Sequence, residues 1–225
     1  MDLGPPDHVP YWQYNVSEGD KTTDCPPFLL NLSDKDRRII GTPDSAYAPS
    51  SWSEVCALVS SNRLDLFQRA PSQLRRYKAY TYRLGREHGS VQDFILRERL
   101  GWTQPVRPRG RPFQFPDDIR IIYNDWPYGL DPNIVHLVVW TKFALESDGE
   151  NGELTDAARV IIEAFVTTTF RQRVPPNQVV WFKNWSALRS IDLVEHFHVM
   201  MFGPDPDFVR QVTNGDVPQY MGADV

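Results

Sequence analysis

The spacing of apolar and polar positions changes along the chain. From residue 33 to about 104, apolar side chains recur every three or four positions, the period of helices with one inward face. Ser33 with Asp36, and Ser51 with Glu54, stand at capping-box spacing. After Ser51, Trp52, Val55, Leu58 and Val59 form an apolar stripe. Pro71 suits a first helical turn, with Leu74, Tyr77 and Tyr80 following, and Gly85 or Gly89 ends that helix. Ser90 caps another, with Asp93 in its first turn and Phe94, Ile95 and Leu100 turned inward.

From residue 119 the period falls to two, the period of strands. Strands are predicted over 119–123, 134–140, 178–183 and 193–202. Between the second and third, Thr155 caps a helix running to about Arg171, with Val160, Ile161, Ala164, Phe165 and Phe170 inward. A short helix near residues 208–212 closes the chain. Four strands with one helix after the second predict an α+β fold, an antiparallel sheet crossed by a helix and preceded by a helical N-terminal region.

Two segments lack either period. Residues 1–32 hold Pro5, Pro6, Pro10, Pro26 and Pro27, which break helices. Tyr11, Trp12, Tyr14, Phe28, Leu29 and Leu30 in the same stretch suit an extended arm stapled to a core. Between 101 and 118, Pro105, Pro108, Pro112 and Pro116 alternate with Arg107, Arg109 and Arg111, the composition of an irregular linker. The chain therefore divides into an arm and helical region over 1–104 and an α+β region over 105–225, expected to form one compact unit.

Composition narrows the partners. The chain has 225 residues, 41% of them hydrophobic, enough to bury a sizeable core. The net charge of −5 argues against a phosphate-binding surface for nucleic acid. No apolar run follows Met1 and none approaches bilayer length, so no membrane partner is expected. Cys25 and Cys56 have no metal spacing and form no disulfide scaffold, which points to free thiols and a cytoplasmic protein. Seven Trp, nine Tyr and twelve Phe suit an aromatic-lined pocket as well as a dense core.

The candidate chemistry lies in the last strand. Alternation over residues 193–202 puts Leu193, Phe197, Val199 and Met201 on one side and Val194, His196, His198 and Met200 on the other. Two imidazoles on one face can act as acid and base near pH 7, hold a metal, or support a nucleophile; they can also be satisfied locally beside a core. His136, on the second strand, is the third candidate. No carboxylate stands at ligand spacing on that face, so acid–base use ranks above metal binding, and no metal or cofactor is assigned. Residues 124–129 (Asn-Asp-Trp-Pro-Tyr-Gly) make a turn. Read functionally they form a pocket rim, with Asp125 moving or orienting a proton and Trp126 and Tyr128 covering an apolar ligand. Lys183 and Asn184 can donate to a substrate oxygen. Trp140, Trp181 and Met200 complete the expected binding set. A Walker loop, G-x-G-x-x-G, G-x-S-x-G and H-E-x-x-H are all missing, which argues against nucleoside-triphosphate, dinucleotide, serine-hydrolase and zincin chemistry.

Several multi-residue motifs resemble the fungal family of N-acetylglucosamine-induced proteins, a domain of unknown function. They are Ser33-Asp-Lys-Asp36, Asn62-Arg-Leu-Asp65, Leu74-Arg-Arg-Tyr77, Asn124 through Leu130, Ile134 through Trp140, Trp181-Phe-Lys-Asn-Trp185 and Glu195-His-Phe-His-Val199. The resemblance covers roughly residues 28–202; it implies a fungal source and no established reaction. More distantly, the order of His136, a helix, Asn184 and His196-Phe-His198 is similar to the histidine-triad nucleotide hydrolases and transferases. That likeness implies their fold and, carried over, His198 as nucleophile. Met200 stands where their third histidine belongs, and a thioether donates no hydrogen bond to phosphate. The sequence reading is therefore a cofactor-independent enzyme of a small apolar molecule, catalysing cyclisation (even a pericyclic one), isomerisation or elimination. A nucleotide phosphohydrolase and a non-catalytic ligand-binding protein are the alternatives, and a homodimer is left open.

Overall fold

The computed structural model describes residues 9–148, 153–184 and 194–221. Within them the helices are α1 (Asp34–Ile40), α2 (Trp52–Ser60), α3 (Pro71–His88), α4 (Val91–Phe94), α5 (Asp156–Val166) and α6 (Pro206–Val212). The strands are β1 (Ile119–Tyr123), β2 (Ile134–Thr141), β3 (Val179–Phe182) and β4 (Glu195–Phe202). Pro5, Pro6, Trp185 and Leu193, named above, lie outside the described residues.

Local chemistry sets the boundaries. Ser33 Oγ accepts from the Asp36 N–H at the start of α1. Ser51 and Glu54 close a full capping box on α2. Pro71 opens α3, and Gly89 ends it at φ 83°, a left-handed conformation that glycine adopts without a Cβ clash. Gly85 stays within the helix. Ser90 caps α4, which continues as a π turn over Ile95–Arg99. Thr155 caps α5, which also runs on into a π turn, Thr167–Arg171.

The sheet is antiparallel, in the order β1-β2-β4-β3. The β2–β4 register pairs Trp140 with His196, Val138 with His198 and His136 with Met200. All three histidines therefore share one face. Leu137, Val139, Phe197, Val199 and Met201 point the other way and pack on Ile162, Val166 and Phe170 behind α5 and on Phe208 of α6. The histidine face is covered as well. Val55, Leu64 and Phe67 pack on Ile134, Phe182 and Met200. Leu96, Leu100 and Trp102 pack on Ile122, Val138 and Trp140. Both faces of the sheet are thus buried, where the alternation suggested one for the core and one for a site.

Part of the expected set staples the arm, while Leu30 is exposed. Tyr11, Trp12, Phe28 and Leu29 join Ile40 and Leu74 in one apolar cluster. The Tyr11 hydroxyl donates to the Leu29 carbonyl at 2.7 Å, and Arg75 Nη1 donates to the Trp12 carbonyl at 2.7 Å. The expected phase of α5 fails: Val160 is 68% exposed, Ile161 37% and Ala164 is exposed as well, whereas Ala158, Ile162, Val166 and Phe170 form the inward stripe. Apolar residues at 158 and at three successive positions, 160–162, leave the phase of the helix ambiguous, and the sheet selects the stripe with the i, i+4 spacing.

Candidate functional site

A cavity of about 480 Å³ lies between the N-terminal helices and the histidine face of the sheet. That volume is in the range of small-molecule sites. The sheet contributes Ile122, Val138, Trp140, His196 and His198 to its lining. The helices and loops opposite contribute Phe67, Tyr77, Tyr80, Phe94, Trp126 and Tyr128. Asn124, Asn184 and Arg69 add polar groups.

His196 is preset for one role. Its Nδ1 lies 3.1 Å from the Val194 carbonyl, which can only accept, so Nδ1 carries the proton. In the neutral ring Nε2 then holds the lone pair. The Trp140 indole lies against the same ring, centroids 4.3 Å apart and 32° between planes. Both residues project from the same face at paired positions of adjacent strands.

His198 belongs to a buried chain. Its Nδ1 is 3.0 Å from His136 Nε2, and its Nε2 is 3.3 Å from Asn184 Nδ2. Asn124 Oδ1 accepts from the Trp126 N–H at 3.1 Å, which turns its amide nitrogen toward the His136 ring at 3.3 Å. With the Asn184 amide donating to Nε2, His198 carries its proton on Nδ1, which donates a hydrogen bond to His136 Nε2. Burial drives His136 down to about 3, with the Arg69 charge adding to the effect. His198 is lowered well below its ordinary value by burial, then by the charges of His136, His196 and Arg69. Both rings are neutral at pH 7.

The structure separates the expected site residues. His196, His198, Asp125, Trp126, Tyr128, Trp140 and Asn184 line the cavity. His136 lies one layer behind, stacked on Tyr128 at 5.5 Å and bonded to His198. Asp125 is tied rather than poised. Arg99 Nε and Nη2 reach its two oxygens at 2.8 and 2.7 Å, and the Gln219 N–H adds a third bond. Arg99 also holds Asp216, whose carboxylate accepts from the Tyr123 N–H. Burial raises the Asp125 pKa while the Arg99 bonds pull it back, and with both oxygens occupied the residue joins β1 to the C-terminal segment.

Trp181, Lys183 and Met200 lie away from the cavity. Trp181 is on the opposite face, edge-on to Phe197, its indole donating to Glu163 at 2.7 Å. Lys183 pairs with Glu195 at 2.7 Å. Met200 faces the same way as the histidines but is sealed among Val55, Phe67 and Ile134. Arg69, Phe67, Tyr77, Tyr80 and Phe94 line the cavity without having been singled out as site residues. Tyr77 and Tyr80 had a signal, their helical spacing, which reads equally as core. Two lining residues, Trp126 and Trp140, have buried indole N–H groups that find no acceptor among the described residues.

Among the described residues no group of three or more His, Cys, Asp or Glu is placed to hold a metal ion. None of the described helices is long and apolar enough to cross a membrane. Cys25 and Cys56 are free thiols.

N-acetylglucosamine-induced protein 1 of Candida albicans is 28% identical over 187 residues, covering 74% of each chain. The uncharacterized protein YPL067C of Saccharomyces cerevisiae is 26% identical over 159 residues, 68% of this chain and 79% of the yeast protein. The crystal structure of HTC1 is similar with a TM-score of 0.60 at 24% identity, covering 73% of this chain and 93% of that one, a likeness of fold. A family model described as "Protein of unknown function (DUF3605)" matches residues 51–202. That span runs from the cap of α2 to the end of β4 and includes the sheet and, α1 apart, the helices that enclose the cavity: the chain belongs to the DUF3605 family.

Proposed function

We propose that the protein is a cofactor-independent enzyme that rearranges a small, largely apolar molecule in this cavity, by isomerisation, cyclisation or elimination. The observation that carries the reading is the tautomer of His196. An imidazole whose Nδ1–H is held by the Val194 carbonyl, set in the wall of an aromatic cavity, is placed to act as a general base through Nε2. Proton removal turns the ring into an imidazolium, and the indole of Trp140 against it stabilises that charge. The Val194 carbonyl accepts from Nδ1 in both states and keeps the ring from turning. The aromatic walls hold the substrate in reactive geometry and keep water from competing. In an isomerisation the proton taken from one carbon returns to another. In an elimination it leaves with the departing group.

Phosphoryl transfer through His198 is the weaker reading. A nucleophilic imidazole needs a nitrogen aimed at the substrate, and both nitrogens of His198 are engaged, by His136 and Asn184. A purely binding role predicts a ligand that is held but never altered.

The test is a thermal-shift screen with small unsaturated and aromatic compounds. Each hit is then incubated with the protein in D2O and followed by mass spectrometry and NMR. The expected result is conversion, or deuterium entering a carbon of the ligand, reduced about 10²- to 10⁴-fold in His196→Gln. Ligands that bind and return unconverted and unlabelled overturn the catalytic reading.

A further inference from the structure

Among the described residues two cations around the cavity have no carboxylate partner, Lys35 at the exposed rim and Arg69 on the wall. Asp36 pairs with Lys78 at 2.7 Å, Asp65 with Arg63 at 3.0 Å, and Asp125 with Arg99 at 2.7 Å. Arg99 takes Asp216 as its second carboxylate. Lys35 is exposed at the rim and donates to the Asp65 carbonyl. Arg69 is different. It is part-buried on the cavity wall, and no carboxylate of the described residues lies within ion-pair distance of it. Its Nε donates to the Trp126 carbonyl at 3.0 Å. Its guanidinium carbon is 4.0 Å from the Tyr77 ring centroid and 5.8 Å from that of Tyr128. These contacts fix the plane of the group and leave the two Nη nitrogens to form the edge that binds an oxyanion. A part-buried guanidinium without a counter-charge gains from an anion that completes its hydrogen bonds. Its field already reaches both buried imidazoles.

We infer that the substrate carries a carboxylate, and that Arg69, clamped between Trp126, Tyr77 and Tyr128, holds it while the apolar body extends toward His196 and Trp140. The inference rests on the reading of the cavity as the site of a small apolar molecule, and adds the substrate class. One unmatched guanidinium on the wall suits a single negative charge; a phosphate dianion asks for a second cation, and Lys35 is out at the exposed rim, bonded to the Asp65 carbonyl. The geometry also sets a length. Tyr128 stacks on His136 and Trp140 on His196, and residues 136 and 140 are about 13 Å apart along β2 at the ordinary strand rise. A substrate reaching from one end to the other is therefore of about two fused or linked rings, or an equivalent unsaturated chain. Holding the acid at one end fixes which carbon meets His196 Nε2, so Arg69 acts as the specificity-determining residue of the proposed reaction.

The test uses calorimetric titration of the full-length protein with biphenyl-4-carboxylate, its primary amide and biphenyl-4-yl phosphate. The expected result is a carboxylate bound at least tenfold more tightly than the amide. Arg69→Gln should bring that ratio to about one and leave amide affinity within twofold. Arg69→Lys, which keeps the charge and loses the fork, should be intermediate, and it serves if Arg69→Gln fails to fold. Trp140→Ala should weaken acid and amide alike. Acid and amide binding equally to the wild type overturns the carboxylate assignment and leaves the apolar cavity standing. A phosphate ester bound more tightly than the acid also overturns it. No binding of any of the three, or affinities unchanged in Trp140→Ala, overturns both the assignment and the reading beneath it.

Discussion

A buried imidazole kept neutral links function to stability. His136 titrates near 3 in the folded protein and near 6.5 when the chain is unfolded, and His198 is displaced in the same direction. Between those values the unfolded chain binds more protons than the folded one. Stability therefore rises with pH and is lost as pH falls below about 6.5, by about 1.4 kcal/mol per pH unit for each imidazole. Carboxylates begin to titrate only lower, so the interval from about pH 6.5 to 5 isolates the histidines. Urea unfolding in that interval should show a steep slope in the wild type and a slope smaller by about 1.4 kcal/mol per pH unit in His136→Gln. Equal slopes would show that His136 is not buried neutral. The residue scale also marks what could be read in advance. Two imidazoles on one face followed from alternation alone, because β4 is regular through its whole length. The His136–His198 bond did not, since it needs the register of strands 62 residues apart. Arg69 stands in a short connection with no periodicity, and Asp125 gave no sign that its partner was Arg99, 26 residues earlier.

Elements were legible where caps and periods agreed and illegible where apolar residues exceeded what one face requires. The serine caps located the helix starts because each accepts from an orphan N–H at a fixed offset, and Pro71 because it lacks the N–H that a first turn leaves unpaired. On α5 the sequence offers apolar residues on two sides, and Val160 and Ile161 were expected inside. The sheet takes Ala158, Ile162 and Val166, and Phe170 beyond them in the π turn. Substitution reports the phase directly. Ile162→Ala should cost about 2–5 kcal/mol, the range for emptying a packed aliphatic site. Val160→Ala should stay within about 0.5 kcal/mol, as surface changes do. The two midpoints of chemical denaturation, measured side by side, decide it; comparable losses would mean that α5 sits on its sheet with the opposite phase. In the basic run of α3, Arg75 holds the arm at Trp12 and Lys78 pairs with Asp36. A charged residue next to apolar ones is often a strut whose far partner the local pattern does not display.

For the whole molecule, the pattern change near residue 105 divides the secondary structure but cuts through the core. Trp140 and Val138 of β2 are buried by Leu96 and Leu100, and Met200 of β4 by Val55 and Phe67. The cavity takes its sheet side from one region and its aromatic opposite wall from the other. Residues 105–225 expressed alone would expose Ile122, Val138, Trp140, Phe182 and Met200 together, a continuous apolar surface of the kind soluble monomers do not present. They would also leave Asp125 and Asp216 without Arg99, two partly buried carboxylates facing each other with no cation, a defect that costs several kcal/mol by itself. Against a typical domain stability of 5–15 kcal/mol, the two losses together leave no folded state. The isolated region should thus show no cooperative thermal transition, and should bind a hydrophobic dye, while the full chain unfolds in one step that a cavity ligand raises as a whole. A cooperative transition in residues 105–225 alone would mean that the sheet and α5 carry their own core, that the N-terminal helices are a separable cover, and that the cavity is an interface between two independent units.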